Sequence, residues 1–216
     1  MRQSFSVTTP ASDLSLLTIE QLRAAAGLAD GDASRDDELS ALGKSISIDI
    51  AVACNVADDG INPPTLLKET VSETLWVCDR PEELILSRRF ISSILSVSEA
   101  GSALSADGYF LDRGAGLLNR ANGGRPWTWA RGQFVISYDA GFSSVPADLM
   151  SAATDLVRIR LSSSSRDPLV KSESIEVPDV QSRRLDFWVG ALPGASGPVP
   201  AEILTRLSRY KNVAVA

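Results

Sequence analysis

The stretch VISYDAGF, Val135–Phe142, runs through two serines into VPADL, Val145–Leu149, and its reading decides the fold. Phe134–Tyr138 is a β-favouring run, and Asp139, Ala140 and Gly141 read as turn residues. Pro146 suits the first position of a helix, behind Ser144 or Val145: its φ is already helical, and its missing N–H falls where a helix has no partner for one. Leu149, Ala153, Leu156 and Val157 recur at spacings of three and four, so this helix has one apolar face to about Leu161 before Ser162–Ser165 ends it. The period of the chain changes from two to 3.6 within this single stretch.

Upstream, the same two-residue period covers most of 70–141. Thr70–Cys78, Leu84–Leu86, Ser93–Glu99, Tyr109–Leu111 and Gly116–Arg120 are β-favouring runs separated by turn signals at Ala100-Gly101, Asp107-Gly108, Arg113-Gly114 and Asn122-Gly123-Gly124. They predict an antiparallel element of about four to six strands. Further upstream the chain is helical. Thr18 and Gln21 have capping-box spacing, Leu17 and Leu22 are placed for a hydrophobic staple, and Gly27 can close a helix over Ile19–Ala26. A second helix starts near Arg35 behind Ser34, with Asp36, Asp37 and Glu38 at its positive end and Leu39, Leu42, Ile46, Ile50 and Ala53 along one face. It ends by Asp58-Asp59-Gly60, and Asn62-Pro63-Pro64 breaks any continuation.

Downstream, 166–200 has little periodicity and is rich in Pro, Gly and Ser, and Pro200–Tyr210 forms a last short helix with Ile203, Leu204 and Leu207 apolar. The expectation is an α+β fold: a small helical bundle, 13–62 and 143–165, an inserted antiparallel β element, 66–142, and an extended C-terminal arm, 166–216, ending in a short helix.

Composition removes several chemistries. With no histidine in 216 residues, no Ser-His-Asp or Cys-His machinery is possible, and two cysteines do not fill a structural zinc site. No cofactor is expected. Cys54 and Cys78 read as free thiols in a reducing compartment. The N-terminal residues lack the apolar region of a signal peptide, and the longest mostly apolar stretch, Ile46–Val56, is too short to span a bilayer, so no membrane partner is expected. The net charge of −6 is uneven: residues 13–79 carry 13 acidic and 4 basic side chains, whereas Arg206, Arg209 and Lys211 follow the last acid, Glu202. An acidic first third argues against a general grip on nucleic acid.

Familiar motifs fail on inspection. Gly43-Lys44-Ser45 has Glu38 where a phosphate loop needs glycine and lies inside a helix. Gly114-x-Gly116 meets Asn119 where a dinucleotide fingerprint needs its third glycine. The alternating acids Asp30, Asp32 and Asp36 have Arg35 and Ala41 at the calcium-loop positions that require Gly and Glu. Asp107, Asp112 and Asp139 could serve a carboxylate-based glycan-cleaving enzyme, but no spacing selects a pair. Arg125, Trp127, Trp129 and Arg131 alternate, so an extended chain sets them on one face, where Arg125 and Trp127 could contact a protein or the bases of a nucleic-acid ligand, while Trp129 covers the β-element core. The C-terminal helix cannot bury its apolar face alone, which makes Leu204, Leu207, Arg206, Arg209, Tyr210 and Lys211 a partner-binding set.

The order of these pieces, with LTIEQLR (Leu17–Arg23), DDEL (Asp36–Leu39), DGYFLD (Asp107–Asp112), VISYDAGF with VPADL, RDPLVKSES (Arg166–Ser174) and LTRLSRYK (Leu204–Lys211), resembles the head–tail connector (adaptor) family of tailed bacteriophages and gene transfer agents. The resemblance implies a non-enzymatic virion protein at the head–tail junction, assembled in the host cytoplasm. It implies a homo-oligomeric ring, usually of twelve subunits, docked on the portal protein, extending the DNA channel and offering a platform to a stopper or tail protein. The arm set would then bind portal. Asp36, Asp37 and Glu38 would face a channel through which DNA slides without sticking, since like charges repel its phosphates.

Overall fold

In the computed structural model, residues 2–164, 172–177, 181–186 and 198–212 are described. Strand β1 is Arg2–Thr9, followed by helices α1, Ile19–Ala25, and α2, Asp36–Ala53. Eight strands follow: β2 Glu69–Val77, β3 Glu83–Ile85, β4 Ile91–Glu99, β5 Ser102–Ala103, β6 Tyr109–Asp112, β7 Leu117–Asn122, β8 Arg125–Trp127 and β9 Gly132–Ala140. Helix α3, Ala147–Ser164, is followed by β10, Ser172–Val177, and β11, Gln181–Asp186, then by α4, Ala201–Arg206, and a 3-10 turn, Ser208–Tyr210. The protein is α+β.

The chain divides into two units. The strand unit comprises Met1–Leu14, Cys54–Pro146 and Tyr210–Ala216, and the helical unit Ser15–Ala53 and Ala147–Arg209. Residues of the expected arm, 166–216, fall in both units. Within that stretch, β10 and β11 pair antiparallel, with Ile175 opposite Arg183. The stretches 165–171 and 187–197 of the expected arm lie outside the described residues.

In the strand unit, five strands pair in the order β1-β2-β9-β4-β5, all antiparallel. A second sheet, β3-β7-β6, takes β8 onto β7. Period-two alternation turns Val71, Leu75 and Val77 of β2 and Phe134, Ile136 and Tyr138 of β9 into one core with Leu84, Leu118 and Trp129. The sheet includes β1, where only Phe5 and Val7 mark the inward face and pairing to β2 supplies the rest. β9 runs on through Asp139 and Ala140, both buried, so only Gly141 turns. Gly141 has φ +93°, and a Cβ there would overlap the carbonyl of Leu67. Phe142 then bonds Leu66 (N–H to O, 2.8 Å) and accepts from the Lys68 amide (3.0 Å), so the crossover to α3 is tied to the entry of β2.

In the helical unit, Thr18 and Gln21 form the capping box on α1, and Leu16, Leu17 and Leu22 are buried. Gly43 lets α2 pass close to α1: a Cβ on it would lie 2.9 Å from Leu22 Cδ1. Ser47 Oγ donates to the Gly43 carbonyl (2.7 Å) and accepts from the Leu16 amide (2.9 Å). Leu39, Ile46 and Ile50 of α2 and Leu149, Ala153, Leu156 and Val157 of α3 are buried.

Candidate interaction surfaces

The inward face of β2 holds two carboxylates as well as its apolar residues. Glu69, Val71, Glu73, Leu75 and Val77 share one face, and both glutamates are buried. Glu73 accepts from the Tyr138 hydroxyl (2.7 Å), the Ser87 amide (3.1 Å), the Ser87 hydroxyl (3.0 Å) and the Gln3 side chain. Burial raises its pKa, and these hydrogen bonds oppose the rise. Glu69 pairs with Arg88 at 2.8 Å, and burial outweighs that partner, so its carboxyl is raised too. Arg88 also donates to the Thr65 carbonyl (2.6 Å) and lies over the Phe5 ring at 5.4 Å. This network fixes β1 and the 87–88 bend to β2, and a small cavity beside it is lined by Thr65, Arg88 and Gly141. The sequence carried its signal, two glutamates in phase with the apolar positions of ETVSETLWV.

The remaining candidate acids are dispersed. Asp112 of β6 accepts from the amides of Gly114 and Ala115 in its own turn. Asp139 of β9, in the other sheet, pairs with Lys68 (2.9 Å) and accepts from Thr70 and Ser93, which lowers its pKa. Asp107 is exposed in a 3-10 turn. Among the described residues no group of three His, Cys, Asp or Glu side chains is arranged to hold a metal ion, and no helix is long and apolar enough to cross a membrane.

Arg125, Trp127, Trp129 and Arg131 do not share a face. β8 ends at Trp127, and the chain then turns Trp129 into the core, where its indole N–H donates to the Leu118 carbonyl (3.1 Å) and its ring meets Phe134 edge-on at 5.1 Å. Trp127 stays 58% exposed beside the exposed Pro126 and Arg125. With Phe110, 49% exposed, Trp127 lines an open groove of about 450 Å3 that also includes Arg80, Glu82 and Arg120. Arg120 is committed to the Gly108 and Ala121 carbonyls and lies over the Trp129 ring. Phe110 and Arg80 carry no local signal, because it is the pairing of β3, β6 and β8 with β7 that brings their stretches of chain near Trp127.

At the start of α2, two of the three acids are compensated. Asp36 accepts from Arg23 Nε (2.8 Å) and Glu38 from Arg35 Nε (2.8 Å), and each arginine lowers its partner's pKa. Asp37 is exposed, with no ion pair among the described residues.

The C-terminal set splits in two. Leu207 and Tyr210 are buried within this chain, with Ile203 and Val199, which corrects the expectation of an unpartnered apolar face. Tyr210 packs on Phe90 (5.7 Å) and Phe142 (5.8 Å, edge-on) in the strand unit, where Arg89 donates to the Lys211 carbonyl (2.6 Å) and the Asn212 amide to that of Cys54 (2.8 Å). In the helical unit Arg206 pairs with Asp155 (2.6 Å) and Arg209 with Asp148 (3.3 Å), both at exposed positions; Leu204 is half-buried.

The two units define a fold also seen in particle necks. The chain aligns over its whole length, and over 98% of the other chain, with one in the neck of an empty GTA particle computed with C6 symmetry, at TM-score 0.56 and 16% identity. A chain in the virion of a native gene transfer agent (GTA) particle matches at TM-score 0.57 and 15% identity, covering 98% of this chain and 97% of that one. A third, in the neck of a native GTA particle computed with C12 symmetry, matches at TM-score 0.50 and 16% identity, covering 100% and 98%. At these identities the likeness is one of fold. No protein-family model and no curated protein sequence matches the chain.

Proposed function

We propose that this chain is a non-enzymatic virion structural protein that closes into a ring of twelve at the head–tail junction. It joins the portal protein to a stopper or tail protein and extends the DNA channel. The observation that carries the reading is the end-to-end correspondence with chains of GTA necks computed with sixfold and twelvefold symmetry. Both units and their discontinuous order are matched, not one common motif.

In this reading Asp36, Asp37 and Glu38 line the channel or its rim. Asp37 contributes most, because Arg23 and Arg35 offset the other two. Portal attachment falls to the outward side of α4 and the turn after it: Leu204, Arg206, Arg209 and Lys211. Leu207 and Tyr210 are themselves buried and so are left out of that surface.

Native mass spectrometry of the purified chain, with and without portal protein, tests this. The expected result is a closed assembly of about twelve copies on portal, whether or not the free chain is monomeric. A chain that stays monomeric and unbound in both conditions would overturn it.

A further inference from the structure

We propose that neighbouring copies join head to tail by inserting Ile61 of one into the Trp127–Phe110 groove of the next. This rests on the ring reading above and names the contact that would close it. Both features belong to the strand unit. They are different patches, so the contact is heterologous, the type that generates rings.

Ile61 is the most exposed large apolar side chain among the described residues, at 87%. Single exposed apolar residues are ordinary. This one differs in how it is held. Asp59 accepts from the amides of Val7 (3.0 Å), Ile61 (3.0 Å) and Asn62 (2.8 Å) and from the Asn62 side chain (3.0 Å), and Asp58 accepts from the Gly60 amide (2.9 Å). Those bonds hold the Asp59 carboxyl well below the usual range, so the clamp stays ionised. A loop backbone fixed in this way loses little freedom on docking.

The groove is its counterpart. Trp127 and Phe110 offer two aromatic surfaces and Pro126 a rigid apolar edge, in a volume of about 450 Å3. Aromatic pockets of this kind supply most of the energy in protein interfaces. Charge selects the partner: the groove carries Arg80 and Arg120 against one acid, Glu82, exposed Arg80 has no ion pair among the described residues, and exposed Asp58 lies three residues before Ile61. An acid next to the knob and a cation next to the groove favour a second copy of this chain.

Sedimentation of the full chain, alone and on portal protein, tests the contact. Ile61→Asp and Trp127→Ala each raise the half-assembly concentration by more than about tenfold while leaving the melting curve unchanged. Asp58→Arg and Arg80→Asp each weaken assembly, and the two together restore it. If wild type assembles and Ile61→Asp and Trp127→Ala assemble equally well, this contact is wrong and the ring reading stands. If wild type assembles in neither condition, both fall.

Discussion

The hydroxyl of Tyr138 donates to the carboxylate of Glu73 across 2.7 Å, inside a sheet whose other inward residues are mostly apolar. The two residues sit on neighbouring strands, β9 and β2, and the bond closes a polar bridge from Gln3 to the backbone amide of Arg88, which meets the same hydroxyl at 3.3 Å. A carboxylate this buried resists ionisation despite its donors.

That burial predicts a pH dependence. Glu73 has a folded-state pKa raised above the ordinary 4.5. A group raised in this way supports folding fully below its unfolded value, and the contribution is lost as pH rises through the folded value. Shifts at other carboxylates, such as the lowered Asp139, are common to wild type and a Glu73 variant and cancel between them. The stability of wild type minus that of Glu73→Gln therefore falls between about pH 4 and pH 7. Urea unfolding at the two pH values measures it; a difference that grows with pH would contradict the burial argument.

Gly141→Ala should destabilise the strand unit by at least about 3 kcal/mol, since it combines a left-handed φ with overlap of the Leu67 backbone. Gly114→Ala, at a position whose Cβ would meet only an ordinary contact with Asp112, serves as the control and should change stability by less than about 0.5 kcal/mol. Chemical denaturation of both variants gives the comparison. Equal effects would mean that the crossover relaxes freely.

Tyr210→Ala separates folding from the portal attachment proposed for the C-terminal segment. Its ring is buried against Phe90 and Phe142, so truncation should cost about 3–5 kcal/mol in the isolated protein. Arg209→Glu acts at an exposed position and should leave the melting temperature nearly unchanged while reducing incorporation into portal-containing particles. Normal incorporation of Arg209→Glu together with Arg206→Glu would remove this surface from the portal contact.

Asp37→Lys should leave the fold intact, because Asp37 is exposed and outside the Arg23 and Arg35 pairs. If the proposed ring forms with α2 at its channel, the change should also confer salt-sensitive retention of duplex DNA, by placing one cation per copy where a like charge stood. Filter retention at low and high salt reads this out, and no gain in retention would place α2 away from the channel.

Much of this fold was legible because local signals agreed with the tertiary outcome. Thr18 and Gln21 define α1 at its cap, Pro146 and the 149–157 apolar face define α3, and six of the strands lie in runs with clear alternation. The failures share a cause. β1 has only Phe5 and Val7 to mark it, and β10–β11 alternates Ser and Glu with few apolar residues, so long-range or cross-strand pairing had to declare them strands. Asp139 looked like a turn residue because Asp is rare in strands; Lys68, Thr70 and Ser93, all distant in sequence, make it tolerable there. The surfaces were harder still. Trp127 stood out in the sequence, but whether Leu207 and Tyr210 face a partner or their own core depends on Phe90 and Phe142, which no local pattern connects to them.

The strand unit draws on both 2–9 and 210–212. During synthesis the helical unit can therefore form while the strand unit still lacks Tyr210 and the Asn212 tether to Cys54. A nascent chain stalled before residue 210 presents Phe90 and Phe142 without their cover. The order of translation therefore sets the order of packing: the strand unit gains its aromatic cover only after residue 210 has been made.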